Sequence, residues 1–232
     1  MNKNNFKFAL TLAWLLAAPA ALAAPVAEEA APDALLKAVT ADVIATIRQD
    51  KDIQAGVPAR LAEVVDTKIL PLFDFARMTQ LAVARNWRLA TPEQQKSLTR
   101  EFRTLLVRTY STALANYRDQ AISFKPLRAA PTDTEVTVKS VVKQRGADAL
   151  NMDYDMEKTA AGWKVYDIKL DGISLITTYR ESFASKVRAD GVDGLVEALA
   201  QKNRQGDARA RMHHTENSHF PALVRFLLQG GV

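Results

Sequence analysis

The spacing of apolar residues changes twice along this chain of 232 residues. Between residues 33 and 117 apolar side chains recur every three or four positions, which is typical of amphipathic helices. Between residues 122 and 171 they alternate with polar ones, as in strands that bury one face, and the helical spacing then returns. We therefore predict an α+β fold, in which N-terminal and C-terminal helices pack on a curved antiparallel sheet of about four strands that encloses an apolar cavity.

The alternating region also predicts how the sheet is paired. Its longer strand segments cover residues 134–144, 148–158 and 163–171. A turn between the first two segments pairs residues whose numbers sum to 292, so that Val138 faces Tyr154. On the other face the same register brings Lys139 opposite Asp153, a favourable cross-strand pair. Because one register satisfies both faces, an antiparallel meander is predicted.

Alternation along the third segment predicts which of its side chains reach the interior. Ile168 and Leu170 are expected to point inward, whereas Trp163 and Val165 are expected to point outward, together with Val141 of the first segment. Large apolar side chains on an outer face need a covering element or a partner.

Residues 1–23 have the layout of a secretory signal peptide. Lys3 and Lys7 precede an uncharged apolar run over residues 8–18, which is too short to span a bilayer, and small residues follow Pro19. No cysteine follows the run, so a lipoprotein anchor is excluded. We expect cleavage of this segment, export to the periplasm, and a flexible leader over residues 24–32.

The rest of the chain is predicted to form one domain and a tail. The periodic patterns run over residues 33–201, a length that suits a single domain with its own core. Residues 202–232 are basic, are expected to be disordered, and contain all three histidines, His213, His214 and His219. The formal charge of +5 is concentrated in the two ends of the chain. The domain between them is close to neutral, so no nucleic-acid partner is expected.

The predicted domain lacks the residues on which most catalytic and metal sites depend. It has no cysteine and no histidine, which excludes Ser-His-Asp and Cys-His arrangements and the common zinc sites. No phosphate-binding loop motif occurs. We therefore expect no enzyme, no catalytic residue, no metal site and no cofactor.

Three carboxylates alternate along the second strand segment, at Asp153, Asp155 and Glu157. They could bind calcium or form an acid/base pair. We interpret them as a solvated sheet face, because lysines of the neighbouring strands balance their charge. A hydrolase or isomerase would need two carboxylates that face inward, and the register directs Asp153 and Asp155 outward.

Two stretches resemble the periplasmic phospholipid-shuttle family of the Mla pathway (MlaC, also known as toluene-tolerance proteins). The first is Trp163 to Leu175, WKVYDIKLDGISL, continued by Tyr179-Arg180, Phe183, Gly191, Leu195 and Leu199. The second is Phe73-Asp74-Phe75 with Met78, Trp87-Arg88, Thr91, Gln94-Gln95, Phe102, Leu105-Leu106 and Tyr110. The likeness extends over residues 33–201. Ala84 stands where the family has a glycine, so the local turn is expected to differ.

The resemblance implies a monomeric periplasmic carrier whose interior takes up the acyl chains of a phospholipid. It also implies two docking partners, an outer-membrane lipoprotein associated with a porin and an inner-membrane ABC transporter with a ring of MCE domains, and a role in outer-membrane lipid asymmetry. Arg88 and Arg180 are candidates for the mouth of the cavity. The candidate lipid-binding residues are Phe102, Leu105, Leu106, Tyr110, Phe124, Val138, Met152, Tyr154, Met156, Ile168, Leu170, Ile173, Leu175 and Tyr179.

One binding function from a different class also fits the sequence. An exported adaptor with a fully packed core would carry no lipid and would dock a protein partner on the outer apolar residues Val141, Trp163 and Val165.

Overall fold

The computed structural model describes residues 30–115, 120–144 and 148–212. Helices come first: α1 (Pro32–Gln49), α2 (Lys51–Gln54), α3 (Pro58–Val64), α4 (Phe75–Val83) and α5 (Pro92–Ala115). A π-helical turn (Val65–Ile69) and a 3-10 turn (Leu70–Leu72) join α3 to α4, and a second 3-10 turn (Ala84–Leu89) precedes α5. The strands are β1 (Ala121–Phe124), β2 (Glu135–Lys143), β3 (Leu150–Thr159), β4 (Gly162–Leu170) and β5 (Ile173–Ser174). A 3-10 turn (Thr177–Tyr179) and α6 (Arg180–Met212) follow them.

The start of α5 is set by a reciprocal cap. The Thr91 hydroxyl oxygen accepts a hydrogen bond from the backbone N–H of Gln94 at 3.2 Å, and the Gln94 side-chain oxygen accepts one from the backbone N–H of Thr91 at 2.9 Å. Two of the N–H groups that a helix start leaves unpaired are thereby satisfied. Pro92 occupies the first turn of the helix, where a missing N–H costs nothing.

The strands form one antiparallel sheet in the order β1-β2-β3-β4-β5. Val138 pairs with Tyr154 and Lys139 with Asp153, so the predicted register between β2 and β3 is confirmed. The sheet has five strands rather than four, because Ile173 and Ser174 add a short edge strand beside β4. The α+β class is confirmed.

A β-bulge reverses the predicted orientation of one half of β4. Tyr154 pairs with Ile168 and Asp155 with Asp167, but Met156 pairs with Val165, which leaves Tyr166 as an extra residue. The insertion shifts the alternation by one position. Trp163 and Val165 therefore turn to the inner face, where they are 9% and 0% exposed, and the prediction that they point outward is wrong.

A small apolar cluster of Val43, Ile47 and Val64 joins α1 to α3, and two larger clusters hold the layers together. The first of these lies between α4, α5 and α6, and its most buried members are Ala82, Val83, Leu98, Phe102 and Ile176. The second lies between α1 and the sheet, and consists of Leu36, Val138, Met156, Trp163 and Val165. Hydrophobic burial is therefore divided between a helix-on-helix layer and a helix-on-sheet layer.

The last helix is bent at Gly191 and continues beyond the predicted end of the domain. Gly191 has φ 71° and ψ −176°, a conformation that glycine adopts readily. The second part runs to Met212, eleven residues into the segment expected to be a disordered tail. Asn203, which is 4% exposed, donates to the backbone oxygen of Glu101 and joins this part to α5.

The predicted signal peptide, most of the leader and the three histidines lie outside the described residues.

The turn after α4 contains a strained alanine. Ala84 has φ 52° and ψ −128°, a region that is disfavoured for residues with a Cβ atom but that glycine adopts without strain. The local turn was expected to differ here because alanine stands where the family has a glycine, but the backbone still has a conformation that glycine favours. Among the described residues no helix combines the length and apolar character that a bilayer crossing requires.

Replacing Ala84 with glycine should therefore stabilise the protein. We expect the free energy of unfolding to rise by about 1 kcal/mol, because the strain is relieved at a position that is already ordered. The matched control is Ala76→Gly on the exposed side of α4, which should lower stability by about 1 kcal/mol. Urea unfolding of the three proteins checks this, and a loss of stability in Ala84→Gly would contradict the assigned strain.

Candidate functional site

An apolar pocket of about 350 Å³ lies between α1, the turns before α4, α5 and the inner face of the sheet. From the helical side it is lined by Leu36, Val39, Thr40, Val43, Ile44, Ile47, Val65, Ile69, Leu70, Leu72, Phe73, Phe75, Met78, Leu106, Val107, Tyr110 and Ser111. From the sheet and the segment after it come Ile122, Met152, Tyr154, Val165, Ile168, Leu170, Leu175 and Ile176. Within the part of the chain that the structure describes, no charged side chain belongs to this lining.

The α1 helix presents one apolar stripe to the pocket. Six lining residues recur along it at helical spacing, from Leu36 to Ile47, so a single face of the helix forms one wall. The helix is held from outside by Lys68, whose ammonium lies 2.6 Å from the Asp42 carboxylate and donates to the Thr46 hydroxyl at 3.2 Å. The polar side of α1 is thus tied to the protein surface while its apolar side faces the pocket.

The opposite wall depends on how Phe73 is attached to the sheet. Phe73 forms an isolated parallel bridge with Val165, and the backbone N–H of Asp74 donates to the carbonyl of Val165 at 2.9 Å. Lys164 also donates its ammonium to the carbonyl of Pro71 at 2.7 Å. These bonds hold the turn before α4 against the end of β4, which places Leu72 and Phe73 beside the pocket.

Tyr154, Tyr110 and Ser111 bring polar groups into the lining, and each is hydrogen-bonded within the protein. Tyr154 donates its hydroxyl to the sulfur of Met152 at 2.9 Å, and burial raises its pKa to about 12. Tyr110 is hydrogen-bonded to Tyr179, and burial raises the pKa of both phenols. Ser111 donates to the carbonyl of Val107 at 2.6 Å. All three tyrosines stay neutral near pH 7, so the pocket can hold an apolar molecule without introducing a charge.

Half of the candidate lipid-binding residues line this pocket, and half lie elsewhere. Those in the lining are Leu106, Tyr110, Met152, Tyr154, Ile168, Leu170 and Leu175. Phe102, Leu105 and Tyr179 belong to the helical cluster, where the Phe102 ring meets the rings of Tyr179 and Phe183 edge-on at 5.1 and 5.2 Å. Phe124, Val138 and Met156 pack in the cluster under α1, and Ile173 is 54% exposed on the edge strand.

The sequence prediction missed the contribution of α1 and of the turns before α4. The stripe of Leu36, Val39, Val43 and Ile47 was visible in the sequence, but periodicity shows which side of a helix is apolar and not what that side faces. The pocket is formed because this stripe is only partly covered by the sheet. The mouth candidates Arg88 and Arg180 are not part of the lining.

Two buried carboxylates lie on the outer face of the sheet, away from the pocket. Asp155 forms an ion pair with Lys169 at 2.6 Å and accepts a hydrogen bond from Thr137 at 2.7 Å. Asp167, opposite it on β4, accepts a hydrogen bond from the backbone N–H of Ile176 at 3.4 Å. Of the three carboxylates interpreted as a solvated face, Asp155 is only 8% exposed, so the interpretation is wrong at that position. Asp167 is 4% exposed. The described residues contain no group of three or more metal-ligating side chains.

Burial makes Asp167 a source of pH-dependent stability. Loss of hydration raises the pKa of its carboxyl above the usual value, and the nearby Asp155 raises it further. Because the folded-state pKa exceeds the unfolded one, the folded protein binds the proton more tightly. The contribution of Asp167 to the free energy of unfolding is therefore fully present below the pKa of the unfolded state. It is lost as the pH rises through the pKa of the folded state.

Asp167→Asn should remove the loss of stability at higher pH, because asparagine does not titrate. It keeps a side-chain oxygen that can accept the hydrogen bond from the backbone N–H of Ile176. We expect the difference in the free energy of unfolding between variant and wild type to shift in favour of the variant from about pH 4 to about pH 7. Urea titrations at both pH values measure it, with the exposed Asp148→Asn as control. An identical difference at both pH values would show that Asp167 is not perturbed.

Comparison with known proteins gives consistent results over most of the chain. The family model described as MlaC protein matches residues 37–201. The toluene tolerance protein ttg2D of Pseudomonas putida is 22% identical over 183 residues, which cover 76% of this chain and 85% of that protein. The intermembrane phospholipid transport system binding protein MlaC of Haemophilus influenzae is 19% identical over 180 residues, covering 76% and 84%.

A solved structure is more similar in sequence. The phospholipid-binding protein from Ralstonia solanacearum, determined in complex with a phospholipid, is 45% identical and superposes with a TM-score of 0.69. The match covers 76% of this chain and 98% of that chain.

Proposed function

The chain belongs to the MlaC protein family, and on that premise we propose that it is a phospholipid carrier that holds acyl chains in the pocket behind α1. The single observation that carries the proposal is the lining of that pocket, which contains no charged side chain among the described residues. The hydroxyls of Ser111 and Tyr154 in this lining donate to other groups of the protein. The Ralstonia relative, which was solved with a phospholipid, supports the class of ligand.

The physical requirement for such a carrier is apolar area shielded from water. Each methylene group removed from water contributes about 0.8 kcal/mol, so two acyl chains are held without any specific polar contact. A charged head group remains at the mouth, where it keeps its hydration and does not have to enter the apolar lining. Aliphatic and thioether side chains such as Met152 adapt to acyl chains of different shape.

The finer parts of the proposal concern location and partners. The signal-peptide layout of residues 1–23 supports export and a periplasmic location. Family membership supports transfer between an outer-membrane lipoprotein–porin complex and an inner-membrane ABC transporter with a ring of MCE domains, as a monomer that serves outer-membrane lipid asymmetry. The carrier binds its cargo without chemistry, so neither a cofactor nor a catalytic residue is part of the proposal.

Native mass spectrometry of the exported protein tests this function. The expected result is a bound mass in the phospholipid range, which organic extraction then releases for identification. Protein that emerges without ligand should take up phospholipid from added vesicles. An apo mass that persists after such incubation would contradict the proposal.

The adaptor alternative receives no specific support. The adaptor alternative requires Trp163 and Val165 to form an exposed docking face, but both are buried on the inner side of the sheet. It also required a fully packed core, whereas the pocket leaves the apolar face of α1 partly uncovered.

A further inference from the structure

A second concave site, of about 640 Å³, lies beside α4. Phe75 and Met78 point from α4 into the apolar pocket, whereas Arg77 and Leu81 line the second site. With 3.6 residues per turn, the centres of these two pairs are about 110° apart around the helix axis, so the two sites lie on adjacent faces of α4. The linings of the two sites have no residue in common.

Four arginines line this site and their charges are not all compensated. Arg77 is neutralised, because it pairs with Glu135 at 2.6 Å and with Glu157, and its guanidinium lies 4.0 Å from the centre of the Tyr166 ring. Arg85, Arg88 and Arg180 have no carboxylate partner within residues 30–115, 120–144 and 148–212. A domain that is otherwise close to neutral thus concentrates three uncompensated positive charges in one concavity.

The arginines are carried on backbone that is held in place. Arg180 donates from Nε to the carbonyl of Leu81 at 2.9 Å, which fixes the stem of its guanidinium. The Gln95 amide donates to the carbonyls of Trp87 and Ala90, at 3.1 and 3.3 Å, and so pins the 3-10 turn that carries Arg85 and Arg88. A partner that binds here meets a largely preformed surface, which lowers the entropy lost on binding.

Apolar side chains lie among the charges. Trp87 is half-buried in the wall of the site, and the nearby Leu89 is 69% exposed. Tryptophan and arginine are the residues most enriched at the centres of protein interfaces. The exposed leucine next to them extends an apolar contact area that a small free anion would not use.

We propose that this arginine site docks an acidic segment of a partner protein, with carboxylates against Arg85, Arg88 and Arg180 and an apolar side chain against Trp87 and Leu89. The planar guanidinium matches a carboxylate in two-pronged geometry. A flat membrane surface fits a convex patch better than a concave one, and inorganic phosphate leaves most of the volume and the apolar wall unused. The docking site does not depend on lipid in the other pocket.

The test uses a fluorescent short peptide of alternating glutamate and leucine, added to the full exported protein. We expect it to bind more weakly as the NaCl concentration is raised. Arg85→Glu/Arg88→Glu should weaken binding by about tenfold or more, because two attractive pairs become repulsive. Arg85→Lys/Arg88→Lys keeps both charges but loses the two-pronged guanidinium geometry, so its affinity should lie between those of the wild type and Arg85→Glu/Arg88→Glu. Bound phospholipid, measured by extraction, should be unchanged in all of these proteins.

The control is Arg128→Glu/Arg188→Glu, which changes the net charge equally at two exposed arginines outside the site. If the control loses as much affinity as Arg85→Glu/Arg88→Glu, binding reflects net charge and the proposal is overturned. It is also overturned if the peptide does not bind, or if phosphatidylglycerol vesicles or inorganic phosphate alone bind in an arginine-dependent way. Peptide binding to a wild-type protein that takes up no phospholipid would instead count against the proposed carrier function and leave the docking site standing.

Discussion

Exported Met152→Glu protein should purify almost free of phospholipid. Met152 lies on β3 in the wall of the apolar pocket, where no charged side chain is present. A glutamate there must be ionised beside acyl chains or take up a proton, and either state costs several kcal/mol, which corresponds to about a hundredfold loss of occupancy. Extraction and quantification of phospholipid per mole of folded protein measures the effect.

The matched control for this variant is Ile173→Glu. Ile173 was among the candidate lipid-binding residues but is 54% exposed and lies outside the lining, so its glutamate remains in water. We expect normal lipid content in this control. A normal lipid content in Met152→Glu, with circular dichroism showing that the variant is folded, would mean that the pocket does not hold the cargo.

Phe102→Ala should destabilise the protein strongly without removing a lipid contact. The side chain is fully buried between α5 and α6, in edge-on contact with the rings of Tyr179 and Phe183. Truncating a buried phenylalanine costs about 3–5 kcal/mol through lost burial and the cavity left behind. For a domain of this size we expect a fall in Tm of about 10 °C.

Two measurements distinguish this packing role from the predicted lipid contact. Thermal unfolding should show the large loss for Phe102→Ala and almost none for Leu89→Ala, whose side chain is largely exposed. Phospholipid per mole of folded protein should stay near the wild-type value. An unchanged Tm combined with a loss of lipid would restore Phe102 to the lipid-binding set.

The elements predicted well from the sequence are those governed by local rules. The period of 3.6 residues marks the amphipathic helices, and strict alternation marks the strands, because each depends only on neighbouring positions along the chain. The register of β2 against β3 was also predictable, because a wrong register would move every apolar side chain to the polar face.

The orientation of β4 could not be predicted in this way. The extra residue at Tyr166 is absorbed by a bulge, and an alternating pattern interrupted by one residue looks the same whether its second half points inward or outward. Tertiary packing makes the choice, because Val165 is needed to cover the end of α1 and to pair with Phe73. The ring of Tyr166 is covered on the outer side by Arg77.

The sequence by itself determined the α+β class, the family, the pairing of the long hairpin and the scarcity of reactive groups in the domain. It could not determine which apolar residues line a pocket and which fill the core, since the hydrophobic effect is non-directional and favours burial of either kind. Phe102 and Met152 have the same character in the sequence. Only the packing of α1, which leaves part of its stripe uncovered by the sheet, separates a structural residue from one that faces the cargo pocket.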